Sequence, residues 1–290
     1  MQQIVIQPLS GTRASQGWTW GGCSDLGTVR SENQDRMGVV AFPGGQALLV
    51  CDGMGGHADG GVAAELALRT LTQYLAAIRP ELAAEDVLRE AFAATNAIIH
   101  AQGRAANGSE RPMGSTAVVC VTREAAALVG HVGDSRAYLH REGQLQQLTR
   151  DHTRVQRMVD AGMLTPEQAR HHPDGGILTR SLGVIPEVEA ELAAWLPLRA
   201  GDEILLCSDG LSSYVEDAHI AAALDQDGTP QQLAEALVAL ALQCGSDDNV
   251  TVQLIRYRQR RRSLRHWLRQ GVRRLRAGLF KPLRTGSDPS

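Results

Sequence analysis

Aspartates recur in this chain wherever an apolar run stops. Asp52 follows Leu48-Leu49-Val50-Cys51, Asp134 follows His131-Val132-Gly133, Asp209 follows Leu205-Leu206-Cys207-Ser208, and Asp247-Asp248 precede Asn249-Val250-Thr251-Val252. Carboxylates at strand ends that meet at one edge repel each other in a low-dielectric cleft, and they coexist there only with protons or cations between them. Donor sets made of oxygen select hard ions. Mg2+ and Mn2+ take about six oxygens and retain waters, which leaves space for a reacting group. Taken singly, Asp52-Gly53, Asp134-Ser135 and Asp209-Gly210 are equally good turns, because Asp and Gly tolerate unusual backbone angles. Their joint placement is what points to metal chemistry.

Strands and helices must bring these residues together. Residues 37–51 read as a hairpin around Pro43-Gly44-Gly45 whose second strand ends at Asp52. Helical spacing follows over Gly61–Ile78, stopped by Pro80, and again over 86–101, before a loose stretch at 103–112. Ala117–Val121, Ala126–Val132, Arg136–Arg141 and Leu145–Leu148 are short and β-rich, as in an antiparallel meander. Residues 150–183 are more polar; Thr165-Pro166-Glu167-Gln168 supplies an N-cap and a proline at the first helical position, as in a flap with small helices. Glu203–Cys207 and Val250–Tyr257 read as buried strands, and 230–243 as an amphipathic helix. Two groups of strands and two of helices, joined by hairpins and not by regular βαβ alternation, favour an α+β layered sandwich.

Composition agrees with a globular chain: 43% of the 290 residues are hydrophobic, and with only three Phe the core must be filled by Ala, Val, Leu and Ile. Charge is divided unevenly. Residues 1–255 hold 17 basic and 31 acidic residues, while 256–290 hold 12 and 1, so two electrically opposite parts are joined near Ile255. The five cysteines are odd in number, form no Cys-x-x-Cys pair and lie mostly in apolar runs, so they read as core residues in a reducing cytoplasm. Neither a secretory signal nor an apolar run long enough to span a bilayer is visible.

The motifs fall in a recognisable order: Ser24-Asp25-x-Gly27-x-x-Arg30-x-x-Asn33-Gln34-Asp35, Asp52-Gly53-Met54-Gly55-Gly56-His57, Gly114-Ser115-Thr116, Gly133-Asp134-Ser135-Arg136, Leu178-Thr179-Arg180-Ser181-Leu182-Gly183, Ser208-Asp209-Gly210-Leu211 and Asp248-Asn249. This set resembles the type 2C (PPM) serine/threonine phosphatases, bacterial members above all, from about Trp18 to about Arg256. The resemblance implies a four-layer αββα sandwich: two antiparallel β-sheets packed together, flanked by helices, with metals at one end. It divides the chain into an N-terminal extension (1–17), a catalytic domain (18–256, flap about 150–183) and a basic tail (257–290).

Carried over by position, the resemblance has Asp52 bridging two Mn2+ or Mg2+ ions, Gly53 offering its carbonyl to one, and Asp209 and Asp248 completing the other. Asp134 joins Asp209 at a third, weaker site. Some members carry Glu where this chain has Gln34, so Asp35 is the expected local carboxylate, acting directly or through water. Arg30 is the expected phosphate clamp, its planar fork matching phosphate in a way Lys cannot. The implied reaction is in-line attack of a metal-bridging water on a phosphoserine or phosphothreonine phosphorus. His57, titrating near neutrality, is the candidate proton donor to the leaving oxygen. Implied partners are phosphorylated proteins, namely the substrates of a cognate kinase and the kinase itself.

Other readings are weaker. The glycines at 53–56 lack the Gly-Lys-Ser/Thr ending of a phosphate loop. His171-His172 have no acidic or histidine partner at helical spacing and read as solvent-facing. A catalytically weak regulatory module that binds phosphorylated partners is the alternative to an enzyme, but such a module would be expected to lose one of Asp52, Asp209, Asp248 or Arg30. In the tail, Leu264, Trp267, Leu268, Val272, Leu275 and Leu279 share one side of a helical wheel beside Arg262, Arg265, Arg269, Arg273 and Arg276. That pattern fits an anionic membrane surface or an acidic protein better than nucleic acid, and implies a cytoplasmic protein peripheral at the inner membrane surface.

Overall fold

The structure, a computed structural model, describes residues 11–13, 17–55, 59–107 and 113–258. In chain order its strands are β1 (Gly11–Arg13), β2 (Trp18–Asp25), β3 (Asp35–Phe42), β4 (Gly45–Met54), β5 (Gly114–Ser115), β6 (Ala117–Arg123), β7 (Ala126–Val132), β8 (Arg136–Arg141), β9 (Gln144–Gln147), β10 (Glu191–Leu192), β11 (Leu196–Pro197), β12 (Glu203–Cys207) and β13 (Val250–Tyr257). The helices are α1 (Asp59–Ala76), α2 (Ala84–Asn107), α3 (Arg154–Asp160), α4 (Pro166–Arg170), α5 (Asp209–Ser212), α6 (Asp217–Leu224) and α7 (Pro230–Gln243).

Two antiparallel sheets result. One has the order β1-β2-β13-β12-β8-β9; the other runs β10-β7-β6-β4-β3, with β11 on β7 and β5 on β4. Three apolar layers fix how these stack. Val39, Leu48, Val50, Val118 and Val129 of the second sheet meet Trp20, Ala137, Ile204, Leu206 and Ile255 of the first. The opposite face of the second sheet, through Leu49, Val119 and Leu128, packs on Leu68, Leu71, Leu88 and Phe92 of α1 and α2. Leu205, Val252 and Leu254, on the outer face of the first sheet, pack on Leu233, Leu237 and Ala241 of α7. Strand period alone assigns these faces: alternate residues of β12 and β13 enter different cores. The architecture is the expected αββα sandwich.

Close approach sharpens the packing. A Cβ on Gly21 would lie 2.3 Å from the Gln231 backbone nitrogen, so only glycine lets α7 seat on β2. The Trp18 and Tyr257 rings, 4.7 Å apart between centroids, close the far end of the β2–β13 pair.

Several expectations are refined. The hairpin at Pro43–Gly44 forms, but β4 runs past Asp52 to Met54 because β5 pairs with Gly53 and Met54. Helix α2 extends to Asn107, deeper into the stretch read as loose. Capping boxes at Thr165 and Thr229 start α4 and α7 where threonine, proline and glutamine stand in the sequence. Three cysteines, Cys51, Cys120 and Cys207, are buried and Cys23, half-buried, packs against the core, whereas Cys244 is exposed at the α7 C-cap, outside the core assigned to it. Gly11–Arg13, within the extension, adds a strand to β2. The tail beyond Arg258 and His57 lie outside the described residues.

Candidate metal centre and active site

Backbone pairing places the acidic residues. Asp35 and Asp52 are directly opposed across the β3–β4 ladder, so their side chains share one face. Asp52 is clamped from its other side: its N–H donates to Thr116 Oγ1 (3.1 Å), while Thr116 N–H (2.8 Å) and Ser115 Oγ (3.0 Å) donate to its carbonyl. Thr116 Oγ1 lies 2.6 Å from Ser135 Oγ, which ties this edge to the Gly133-Asp134-Ser135 turn between β7 and β8. Gly53 admits no side chain, since a Cβ there would sit 2.0 Å from the Gly60 carbonyl oxygen. From the other sheet, β12 ends at Cys207; Ser208 then donates its hydroxyl to Asp35 Oδ2 (2.8 Å), and Asp209 opens α5.

Asp248 lies just before β13. Its Oδ1 accepts from Asn249 N–H (2.8 Å) and its Oδ2 from Arg30 Nη2 (2.7 Å). The Arg30 loop is held by Asn249, whose Nδ2 donates to the carbonyls of Leu26 (2.8 Å) and Glu32 (3.1 Å) and whose Oδ1 accepts from Gln34 N–H (2.8 Å). Asp52, Asp134, Asp209, Asp248, Gly53 and Arg30 therefore line one cavity of about 420 Å³, bordered on the flap side by Gly176 and Leu178.

The electrostatics of this cavity call for cations. Burial, then Asp35 and Asp209, push the Asp52 carboxyl well above the usual carboxylate range. Asp134 is raised likewise by burial and by Asp209, and Asp209 by burial and by Asp248. Burial raises Asp35 to about 7, against hydrogen bonds from Thr251 and Ser208 that pull it down. Asp209 Oδ1 is buried with no hydrogen-bond partner. An orphaned carboxylate oxygen among mutually repelling carboxylates is costly unless a cation or proton completes it. A cavity lined by carboxylate oxygens, with the Gly53 backbone beside them, fits a hard divalent ion.

Of the residues singled out in the sequence, Asp52, Gly53, Asp134, Asp209, Asp248 and Arg30 come together. Asp35 stands behind them, 4% exposed, bonded to Ser208 and not lining the cavity. His171 is exposed, and His172 Nδ1 accepts from Asp174 N–H. Sequence reasoning gave no role to Thr116, Ser208 or His152, and quoted Asn249 only as part of a motif. Thr116, Ser208 and Asn249 carried the signal of lying inside motifs, whereas His152, between motifs at the start of the flap, carried none.

A family model described as protein phosphatase 2C matches residues 28–268. The serine/threonine phosphatase stp of Listeria monocytogenes is 34% identical over 239 residues, covering 80% of this chain and 93% of that protein. The crystal structure of the Mycobacterium tuberculosis serine/threonine phosphatase PstP/Ppp superposes with a TM-score of 0.76 at 39% identity, over 83% of this chain and 99% of that one. The catalytic domain of PstP, solved with two manganese ions, gives a TM-score of 0.73 at 38% identity, over 83% and 99% of the two chains. A family match over residues 28–268, and 34% identity to a relative covered over 93% of its length, lead to one conclusion: the chain belongs to the protein phosphatase 2C family.

Proposed function

We propose that this cavity hydrolyses phosphoserine and phosphothreonine esters of proteins, with Asp52, Gly53, Asp209 and Asp248 holding two Mn2+ or Mg2+ ions and Asp134 contributing to a third. Family membership makes the chain a metal-dependent serine/threonine protein phosphatase. The observation that carries the site assignment is the convergence of four aspartates and Arg30 on one cavity in which a buried carboxylate oxygen of Asp209 has no partner.

When bound, the divalent cations supply Lewis-acid activation of water and neutralise phosphate charge. The chain's own residues do the rest. Arg30, half-exposed at the cavity rim, presents a guanidinium fork to the phosphate oxygens. Asn249 holds the Arg30 loop by three hydrogen bonds, so the fork is oriented before substrate arrives. Ser208 and Thr251 steady Asp35 behind the centre, where its charge acts on Asp52. His57 is assigned the proton for the leaving oxygen.

The substrates are phosphoproteins made by a serine/threonine kinase that this enzyme opposes, and the kinase itself is among them. No helix among the described residues is long and apolar enough to cross a membrane. We assign a cytoplasmic location, with residues 257–290 docking on an anionic membrane surface. Turnover of a phosphothreonine peptide with Mn2+ tests the activity. The wild type turns over, Asp209→Asn loses at least about 10²-fold, and undiminished turnover by that variant defeats the assignment.

A further inference from the structure

His152 stands where the flap begins, with its backbone and ring both committed. Its N–H donates to the Gly133 carbonyl (3.0 Å) and its carbonyl accepts from Thr179 N–H (2.7 Å) at the far end of the flap. Its ring Nδ1 accepts from the Gly133 N–H (3.1 Å). Gly133 immediately precedes Asp134 and has φ +105°; a Cβ there would lie 2.6 Å from Thr116 Cβ. The turn that presents Asp134 is thus pinned on one side by Thr116 and on the other by His152.

Tautomer logic follows from these contacts. A neutral imidazole carries one proton, and a ring that accepts at Nδ1 carries it on Nε2. That Nε2–H faces Glu191 Oε2 at 3.3 Å. Arg180 Nη1, also 3.3 Å from Nε2, cannot donate to a protonated nitrogen and pairs with Glu191 Oε2 at 4.0 Å. The ring is buried and stacked on His131 at 4.6 Å between centroids. Burial, then His131, hold its pKa down to about 4, so it is neutral near pH 7.

His131, His152 and Glu191 bring three potential ligand atoms within 4.8 Å of one another. Even so, they do not make a metal site. His131 Nε2 is 2.8 Å from the Arg150 carbonyl, and His152 has Nδ1 engaged by an N–H and its only proton on Nε2. A His152 ring in that state has no lone pair to give to a cation.

We propose that His152 is a positioning residue that fastens the Gly133-Asp134 turn to both ends of the flap, so that Asp134 and the flap residues Gly176 and Leu178 keep one geometry around the cavity. This rests on the role proposed above for Asp134 and deepens it.

Asparagine and glutamine separate the two ring nitrogens. In His152→Asn the new amide oxygen reaches about where Nδ1 stands and can accept from Gly133, whereas His152→Gln places its amide near Nε2 and leaves that N–H unsatisfied. In the full chain with Mn2+ and a phosphothreonine peptide, His152→Asn keeps kcat within about threefold of wild type. His152→Gln loses about 10- to 100-fold, the usual cost of removing an outer partner of a metal ligand. Amide exchange at Gly133 follows the same order, slow in wild type and His152→Asn and fast in His152→Gln, while amides of the β12–β13 ladder stay slow in all three, which a general loss of stability would not produce. Any other ordering of the two variants, including equal losses that track their melting temperatures, overturns the proposal. Asp134→Asn serves as reference: full turnover by it would end the assignment of Asp134, while Gly133 exchange would still decide whether His152 makes the tie.

Discussion

Arg30 Nη2 lies 2.7 Å from Asp248 Oδ2, so the proposed phosphate clamp is paired with a proposed metal ligand. A guanidinium carries five N–H donors, and this bond engages one nitrogen of the fork. The pair is half-exposed on the arginine side, where ion pairs contribute at most about 1 kcal/mol to stability. Arg30→Ala should therefore melt close to wild type while losing on the order of 10²-fold in kcat/KM. Arg30→Lys should recover little, because a single ammonium does not reproduce the fork. Steady-state kinetics beside a thermal melt checks both.

Acid should stabilise the metal-free protein. Asp35 is raised to about 7 in the folded chain, and Asp52, Asp134 and Asp209 are raised with it, chiefly by burial and then by their neighbours. A carboxyl whose folded pKa exceeds its unfolded value of about 3.9 binds more protons when folded between the two values. Its stabilising contribution is complete below about pH 4 and is lost as pH rises through the folded pKa. His131 and His152, whose pKa values burial lowers from 6.5, give the opposite slope below that pH, so melting temperature in chelator should fall as pH rises above it, and saturating Mn2+ should flatten that slope.

Gly21→Ala should destabilise the fold without touching the cavity. The new Cβ would meet the Gln231 backbone at 2.3 Å, and a helix backbone cannot yield as a side-chain end does. A cost of about 1–3 kcal/mol is expected from overpacking, read by denaturant unfolding, with turnover per folded molecule unchanged.

The tail assignment makes its own prediction. A chain ending at Arg258 should hydrolyse a short phosphothreonine peptide as fast as the full chain but fail to sediment with phosphatidylserine vesicles. Sedimentation of both forms, or of neither, would remove the membrane role given to residues 257–290.

Much of this centre was legible in the sequence because strand ends are legible. Apolar runs such as Leu48–Cys51 and Glu203–Cys207 stop at the aspartates that line the cavity, and period-two alternation divides β12 and β13 between two cores. Asp35 was harder to place. Its position across the ladder from Asp52 follows from register, and its withdrawal from the cavity follows from the Ser208 bond, 173 residues away in sequence. The ties made by Asn249 and His152 were invisible for the same reason, since a hydrogen bond between residues of distant segments leaves no local pattern. Short elements such as α5 and β10, held by tertiary contacts and not by periodicity, also escaped.

Calorimetric titration of the metal-free chain with Mn2+ tests the carboxylate centre most directly, because it reads binding without turnover. The wild type should take up at least two ions, and Asp52→Asn, removing the carboxylate proposed to hold both, should weaken both together while remaining folded by melting temperature. Undiminished uptake by Asp52→Asn, or no uptake by the wild type, would contradict the account.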